Sequence, residues 1–215
     1  MKSKVLESIS ENKIIAIIRK LETDKLIQTV EALKEGGIKL IEVTFDQRGE
    51  FSEEYTSGQI KMICDTYGDK LYIGAGTVMT VRQVEMAYKA GAKYIISPNV
   101  NKEVIKKTVE LGMISIPGAL TPTEIETAHS YGADIVKMFP AGELGIGYVK
   151  AVLAPLNHIK TMAVGGVDEK NLKDFLSLGI IGVGVGSNIV KKDLIAKGEF
   201  DKITKFALNY TRQIN

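Results

Sequence analysis

Tryptophan is absent from this 215-residue chain, cysteine occurs once and histidine twice. The lone Cys64 excludes an intrachain disulfide and a cysteine-built zinc cluster, and its helical context marks it as core packing. His129 and His158 lack ligand spacing and both precede apolar runs, so no histidine-built metal centre is expected. Metal chemistry would be left with a carboxylate site of the kind hard cations accept. No apolar stretch approaches the roughly 18 residues of a membrane span. Met1 to Glu11 carries Lys2, Lys4 and Glu7 in place of the apolar core of a signal peptide. A cytoplasmic protein without a membrane partner is the expectation. Charge of one sign is also missing: the net charge is +2, and the aromatic residues are not interleaved with Lys or Arg. That balance excludes the basic stripe a nucleic-acid partner would need.

What is present is ordinary for a globular domain, 45% hydrophobic and 25% charged, and the length suits one domain over 1–215. No proline-rich, serine-rich or single-sign segment marks a linker. A short apolar run recurs eight times: Ile14 to Ile18, Leu40 to Val43, Leu71 to Gly74, Tyr94 to Ser97, Met113 to Ile116, Ile135 to Met138, Thr161 to Val164 and Ile181 to Val185. Each is followed by a turn and a segment of helical periodicity, as in Leu26, Val30 and Leu33, or Val81, Val84 and Tyr88. Thr121-Pro122-Thr123-Glu124 reads as a capping box with proline at the first helical position, and Asp168 as a cap for the helix before Leu172. Gly37, Gly91, Gly112, Gly132 and Gly179 close helices just before the next run. Such even βα repeats predict a single-domain (β/α)₈ barrel in the α/β class, with an open doubly wound sheet as the alternative. In a barrel the C-terminal ends of the runs converge on one mouth, where catalytic groups sit.

Read in order, those ends hold several candidates. Lys137, within Ile135-Val136-Lys137-Met138-Phe139-Pro140, falls where a buried strand is expected. Buried, its ammonium form is disfavoured and the amine becomes a nucleophile towards carbonyl carbon; at a strand end it would simply reach solvent. Glu42, between Leu40 and Thr44 on one strand face, is either ion-paired with a neighbour such as Lys137 or poised as a general acid/base. Arg19 offers a fixed cation for a carboxylate or phosphate, or pairs with a nearby acid. Gly74-Ala75-Gly76-Thr77 admits an anion to the backbone, with the Thr77 hydroxyl as an added donor, or merely turns tightly. Pro98 and Pro117 shape the mouth, and Phe139 and Pro140 wall the pocket beside the lysine. Gly165-Gly166 and Gly186-Ser187 follow the seventh and eighth runs, where a phosphate is held in this architecture.

Taken together, Ile41-Glu42-Val43-Thr44, Ile73-Gly74-Ala75-Gly76-Thr77-Val78, Ile96-Ser97-Pro98-Asn99, Val136-Lys137-Met138-Phe139-Pro140-Ala141, Ala163-Val164-Gly165-Gly166-Val167 and Gly184-Val185-Gly186-Ser187 resemble one family nearly end to end. This is the family of 2-keto-3-deoxy-6-phosphogluconate (KDPG) and 4-hydroxy-2-oxoglutarate (KHG) aldolases. The resemblance implies a class I aldolase without metal or organic cofactor, in which Lys137 forms the Schiff base and Glu42 handles protons. It implies that Thr77 helps hold the pyruvate carboxylate, that Gly165, Gly166, Gly186 and Ser187 hold the phosphate, and that the assembly is a homotrimer. The substrate would be a phosphorylated keto acid, cleaved to pyruvate and glyceraldehyde 3-phosphate. Asp46 stands where phosphogluconate-type members carry an arginine; the 6-phosphogalactonate (KDPGal) branch also lacks it. Either Asp46 turns away from the site, or Arg19 or Arg48 supplies the charge. KHG cleavage to pyruvate and glyoxylate, phosphosugar isomerisation or epimerisation, and non-catalytic phosphosugar binding are the competing readings.

Overall fold

The structure is a computed structural model describing residues 2–214. The apolar runs form parallel strands: β1 (Ile14–Ile18), β2 (Leu40–Thr44), β3 (Tyr72–Gly76), β4 (Tyr94–Ile96), β5 (Ile114–Ile116), β6 (Gly118–Ala119), β7 (Val136–Met138), β8 (Thr161–Val164) and β9 (Gly182–Val185). They make one sheet in the order β5-β4-β3-β2-β1-β9-β8-β7-β6. Its two edges are neighbours in the chain, separated only by Pro117. Proline has no N–H to donate, so it breaks the ladder at that point. The carbonyls beside it still pair: Ser97 N donates to Ile116 O at 3.2 Å and Lys137 N to Pro117 O at 2.8 Å. Residues 114–119 therefore serve as one barrel strand, and the nine segments close into an eight-stranded barrel. That closure excludes the open sheet.

Helices α2 (Thr23–Glu35), α3 (Glu53–Tyr67), α4 (Val81–Lys89), α5 (Lys102–Glu110), α6 (Pro122–Ser130), α7 (Ala141–Leu153) and α8 (Leu172–Ser177) each follow a strand, and α9 (Lys192–Ala196) and α10 (Phe200–Thr211) follow the last. None among the described residues is long and apolar enough to cross a membrane. The α6 capping box forms as expected. Asp168 does not cap α8: its Oδ1 accepts from the N–H groups of Lys170 and Asn171 at 2.8 and 3.1 Å, closing a turn one step earlier, and Asn171 occupies the N-cap position.

Alternation along the strands divides the core into two layers. Ala16, Val43, Ala75, Val136 and Val183 face the helices, whereas Ile15, Leu40, Tyr94, Ile114, Ile135 and Met162 fill the barrel. A helix absent from the sequence reading, α1 (Lys2–Asn12), adds Val5 and Ile9 to the inner layer. The spacing of four residues puts both on one face, which packs across the N-terminal ends of the strands. Lys2 pairs with Asp134 at 2.9 Å, and Asp134 accepts from Ser115 N at 2.9 Å, fixing this cover to β5. The mouth at the opposite end is left open.

Tyr94 is the largest side chain of the inner layer, and its hydroxyl donates to Ile41 O at 2.7 Å. It fits because position 74 has no side chain: a Cβ on Gly74 would stand 2.0 Å from the ring. Gly74→Ala should therefore lower unfolding free energy by about 1–3 kcal/mol through overpacking. The denaturant midpoint checks this; an unchanged midpoint would show that the ring relocates freely.

Candidate active site

Strand alternation sends Leu40, Glu42 and Thr44 of β2 into the barrel, and Lys137 of β7 inward while Val136 and Met138 face the helices. Lys137 is 6% exposed and Glu42 4%. The Glu42 carboxylate lies over β3 in space that a side chain at position 76 would fill, since a Cβ on Gly76 would meet Oε1 at 1.7 Å. Among the described residues no ion pair or hydrogen bond joins Glu42 to Lys137, so of the two readings of Glu42 the direct pair is not formed. The two act on each other through the barrel interior instead. Burial pushes the Glu42 carboxyl up to about 7, against the pull of Lys137 and then of Arg19. Burial likewise brings the Lys137 ammonium down to about 8, opposed by Glu42 and assisted by Arg19. Both groups thus change protonation near neutrality, the condition for proton exchange with a reacting molecule. The Phe139 ring, 40% exposed, lies 5.0 Å from Lys137 Nζ.

Beyond Phe139 opens a cavity of about 590 Å³, walled by Arg19, Gly165, Gly166, Gly186 and Ser187. Gly165 and Gly166 take φ of 84° and 75°, the left-handed region open to glycine. Three consecutive carbonyls of this turn are held from outside: Gly165 O by Gly142 N at 2.7 Å, Gly166 O by Asn171 Nδ2 at 2.9 Å and Val167 O by Asn188 Nδ2 at 2.9 Å. No backbone acceptor outside the strands and helices takes the N–H groups of Gly166, Val167 or Ser187 among the described residues. A turn with fixed carbonyls and free N–H groups is suited to an anion. The sequence reading did not single out Asn171 or Asn188; their signal was an amide side chain shortly after each glycine turn.

The Asp46 carboxylate is engaged by its own loop, although the residue lines the smaller cavity with Arg19, Arg48 and Thr77. Its carboxylate accepts from the N–H groups of Arg48, Glu50 and Phe51 at 3.1, 2.8 and 3.2 Å and pairs with Lys20 at 3.2 Å. Burial opposes its charge, but the Arg48 and Phe51 N–H groups, Lys20 and the Glu50 N–H together bring it down to about 2. Thr77 has φ of 54°, and its carbonyl accepts from Gln47 Nε2 at 2.8 Å. It lines a smaller cavity of about 340 Å³, not the larger one. Pro98 lines neither; its carbonyl packs 2.5 Å from where a Gly118 Cβ would be.

A closed barrel with a buried amine and a buried carboxyl at its mouth, beside an anion-suited cavity, defines a (β/α)₈ barrel enzyme. The family model for KDPG and KHG aldolase matches residues 5–206, and the chain belongs to that family. It is 37% identical over 179 residues to 2-dehydro-3-deoxy-6-phosphogalactonate aldolase of Escherichia coli K12, covering 83% of this chain and 84% of the relative. To 2-dehydro-3-deoxy-phosphogluconate aldolase of Haemophilus influenzae it is 31% identical over 200 residues, with 93% and 91% covered. A solved native KDPGal structure superposes with a TM-score of 0.82 at 34% identity, covering 93% of this chain and 92% of that one. KDPG aldolase from Legionella pneumophila, captured with pyruvate as a covalent carbinolamine, gives a TM-score of 0.84 at 28% identity, with 93% and 94% covered.

Among the described residues one fully buried side-chain polar atom has no hydrogen-bond partner, the hydroxyl of Thr44. A buried group left unsatisfied costs about 1–3 kcal/mol. Thr44→Val should therefore be at least as stable as the wild type, measured by thermal or denaturant unfolding. A clear loss of stability would mean that the hydroxyl has a partner in solution.

Proposed function

We propose that the protein is a class I aldolase that cleaves a 2-keto-3-deoxy-6-phospho sugar acid reversibly to pyruvate and glyceraldehyde 3-phosphate, with Lys137 as the imine-forming residue. The observation that carries this reading is the buried Lys137, its pKa brought down to about 8, inside the same barrel as a Glu42 pushed up to about 7. The neutral amine attacks the C2 ketone, and loss of water from the carbinolamine leaves a protonated imine. Glu42, through a water, takes the C4 hydroxyl proton; the C3–C4 bond breaks, its electrons passing into an enamine as the aldehyde departs. Glu42 then returns a proton to C3, and hydrolysis of the imine releases pyruvate and restores Lys137.

The larger cavity, with its glycine turns, supports a phosphorylated substrate over glyoxylate-forming KHG cleavage. Asp46 and the two phosphogalactonate aldolase relatives at 37% identity favour the galactonate epimer. Assembly as a homotrimer belongs to the same reading and rests on family resemblance, whereas a cytoplasmic location rests on the sequence reading of the residues themselves.

Borohydride reduction in the presence of pyruvate should attach the adduct to Lys137, located by peptide mapping; an isomerase or a binding protein would give none. Trapping needs the neutral amine, so its rate should rise with pH through about 8. Glu42→Gln removes the anion that favours the ammonium, so it should move this profile to lower pH while turnover falls by about 10²- to 10⁴-fold. A profile that stays in place, or turnover near that of the wild type, would assign the proton transfer to another group.

Gly186 tests the phosphate. A Cβ there would meet only Ile17 Cβ, at 3.9 Å, so a side chain enters the cavity without disturbing the fold. Gly186→Val should depress kcat/KM for the phosphorylated keto acid and spare the unphosphorylated analogue, because remote binding energy positions the reacting carbon. Equal effects on both substrates would move the natural substrate towards KHG.

A further inference from the structure

Two polar side chains stand next to each other on the inner face of β2, and neither has a hydrogen-bond partner among the described residues: the Thr44 hydroxyl and the Glu42 carboxyl. Alternation places them two residues apart on one face, with Thr44 the nearer to the mouth. Thr44 pairs in register with Gly76, and the Glu42 carboxyl occupies the space over Gly76 that a side chain there would fill. The carboxyl is thus carried up to the level of the hydroxyl.

Such a hydroxyl is costly to keep. Thr44 is 5% exposed and its oxygen is closed off from solvent, so a valine of nearly the same shape would spare the chain an unsatisfied group. The charged groups that face Glu42 are Lys137 of β7 and Arg19 beyond the end of β1. Tyr94 of β4 also faces it, but burial and then Glu42 push that phenol well above its ordinary pKa, and its O–H is spent on Ile41 O at 2.7 Å. The neutral donor beside Glu42 that no other acceptor claims is therefore the Thr44 O–H. The terminal torsion of a glutamate is soft and a threonine hydroxyl rotates to suit, so a small turn of the carboxyl closes the contact.

We propose that Thr44 is a positioning residue for Glu42: its O–H donates to the carboxylate in the ionised form that accepts the substrate's proton, and holds the receiving group in place. The inference rests on the aldolase reading and adds to it the group that stabilises the base while it is charged. Thr44 gives up no proton. It lowers the cost of the buried anion, and once Glu42 is protonated the contact loses its charge-assisted strength.

Thr44→Val and Thr44→Ser test this against the wild type in three measurements: cleavage of the phosphorylated keto acid, borohydride trapping of pyruvate at alkaline pH, and denaturant unfolding. Thr44→Val should lose about ten- to a hundredfold in kcat near neutral pH, the loss of a hydrogen bond to a charged group. A donor favours the anion, so its removal raises the carboxyl pKa, and the acid limb of kcat, which reports the substrate complex, should move to higher pH. KM, pyruvate trapping and the unfolding midpoint should not worsen, and Thr44→Ser should restore most of the rate. Three outcomes overturn the proposal and leave the aldolase reading standing: Thr44→Val turning over as fast as the wild type, a raised KM with the acid limb unmoved, or a loss of trapping and stability in step with the loss of rate. A wild-type protein that pyruvate and borohydride fail to modify overturns both.

Discussion

Exclusion of water from the barrel interior is the constraint on which this site depends. Two ionisable groups, Lys137 and Glu42, are placed where the surrounding layer is Ile15, Leu40, Tyr94, Ile135 and Met162. Desolvation disfavours both charges, and the effective penalty for a buried ion is about several kcal/mol even after relaxation. Without a direct ion pair, the attraction between the two offsets only part of it, so the carboxyl is held up and the amine held down until their titrations nearly meet. Glycines make the arrangement sterically feasible: Gly74 admits the Tyr94 ring, Gly76 admits the Glu42 carboxylate, and Gly184 leaves room for Val164 and Ile17.

The scaffold was legible because its physics is local. Apolar runs of strand length, glycine stops and a capping box report on burial and backbone conformation a few residues at a time, so the eight runs and the mouth-facing positions of Lys137 and Glu42 follow from alternation alone. The fifth strand shows the limit: Pro117 splits its ladder, but only the pairing of Ser97 with Ile116 and of Lys137 with Pro117 reveals that its two halves close one barrel. The α1 helix escaped because its apolar face is short, Val5 and Ile9 with Leu6 beside them, too sparse to stand out until the strand ends it covers are seen.

Side-chain partners were less legible, since they depend on distances across the fold. Glu42 and Lys137 were expected to be buried in the barrel, and they are; of the two readings of Glu42, an ion pair or a poised acid/base, the direct pair is not formed. Asp46 looked like a charge misplaced in an anion site, and its partners are backbone N–H groups that no residue pattern displays. Asn171 and Asn188 likewise act on carbonyls of a neighbouring turn. Thr77 was expected with the substrate's carboxylate, and it lines the smaller cavity and not the one that holds the glycine turns.

The α1 cover also has a consequence for how the chain matures. Val5 and Ile9 precede every strand in the chain, yet they share a buried cluster with Ile135 and Met162, and β1 cannot complete its pairing until Val183 and Gly184 are available. A chain lacking β9 would leave β1 with an unpaired edge and part of the surface under α1 missing. Such intermediates are sticky. The barrel is thus closed by its last strand, and loss of β9 would leave β1 and β8 with unpaired edges.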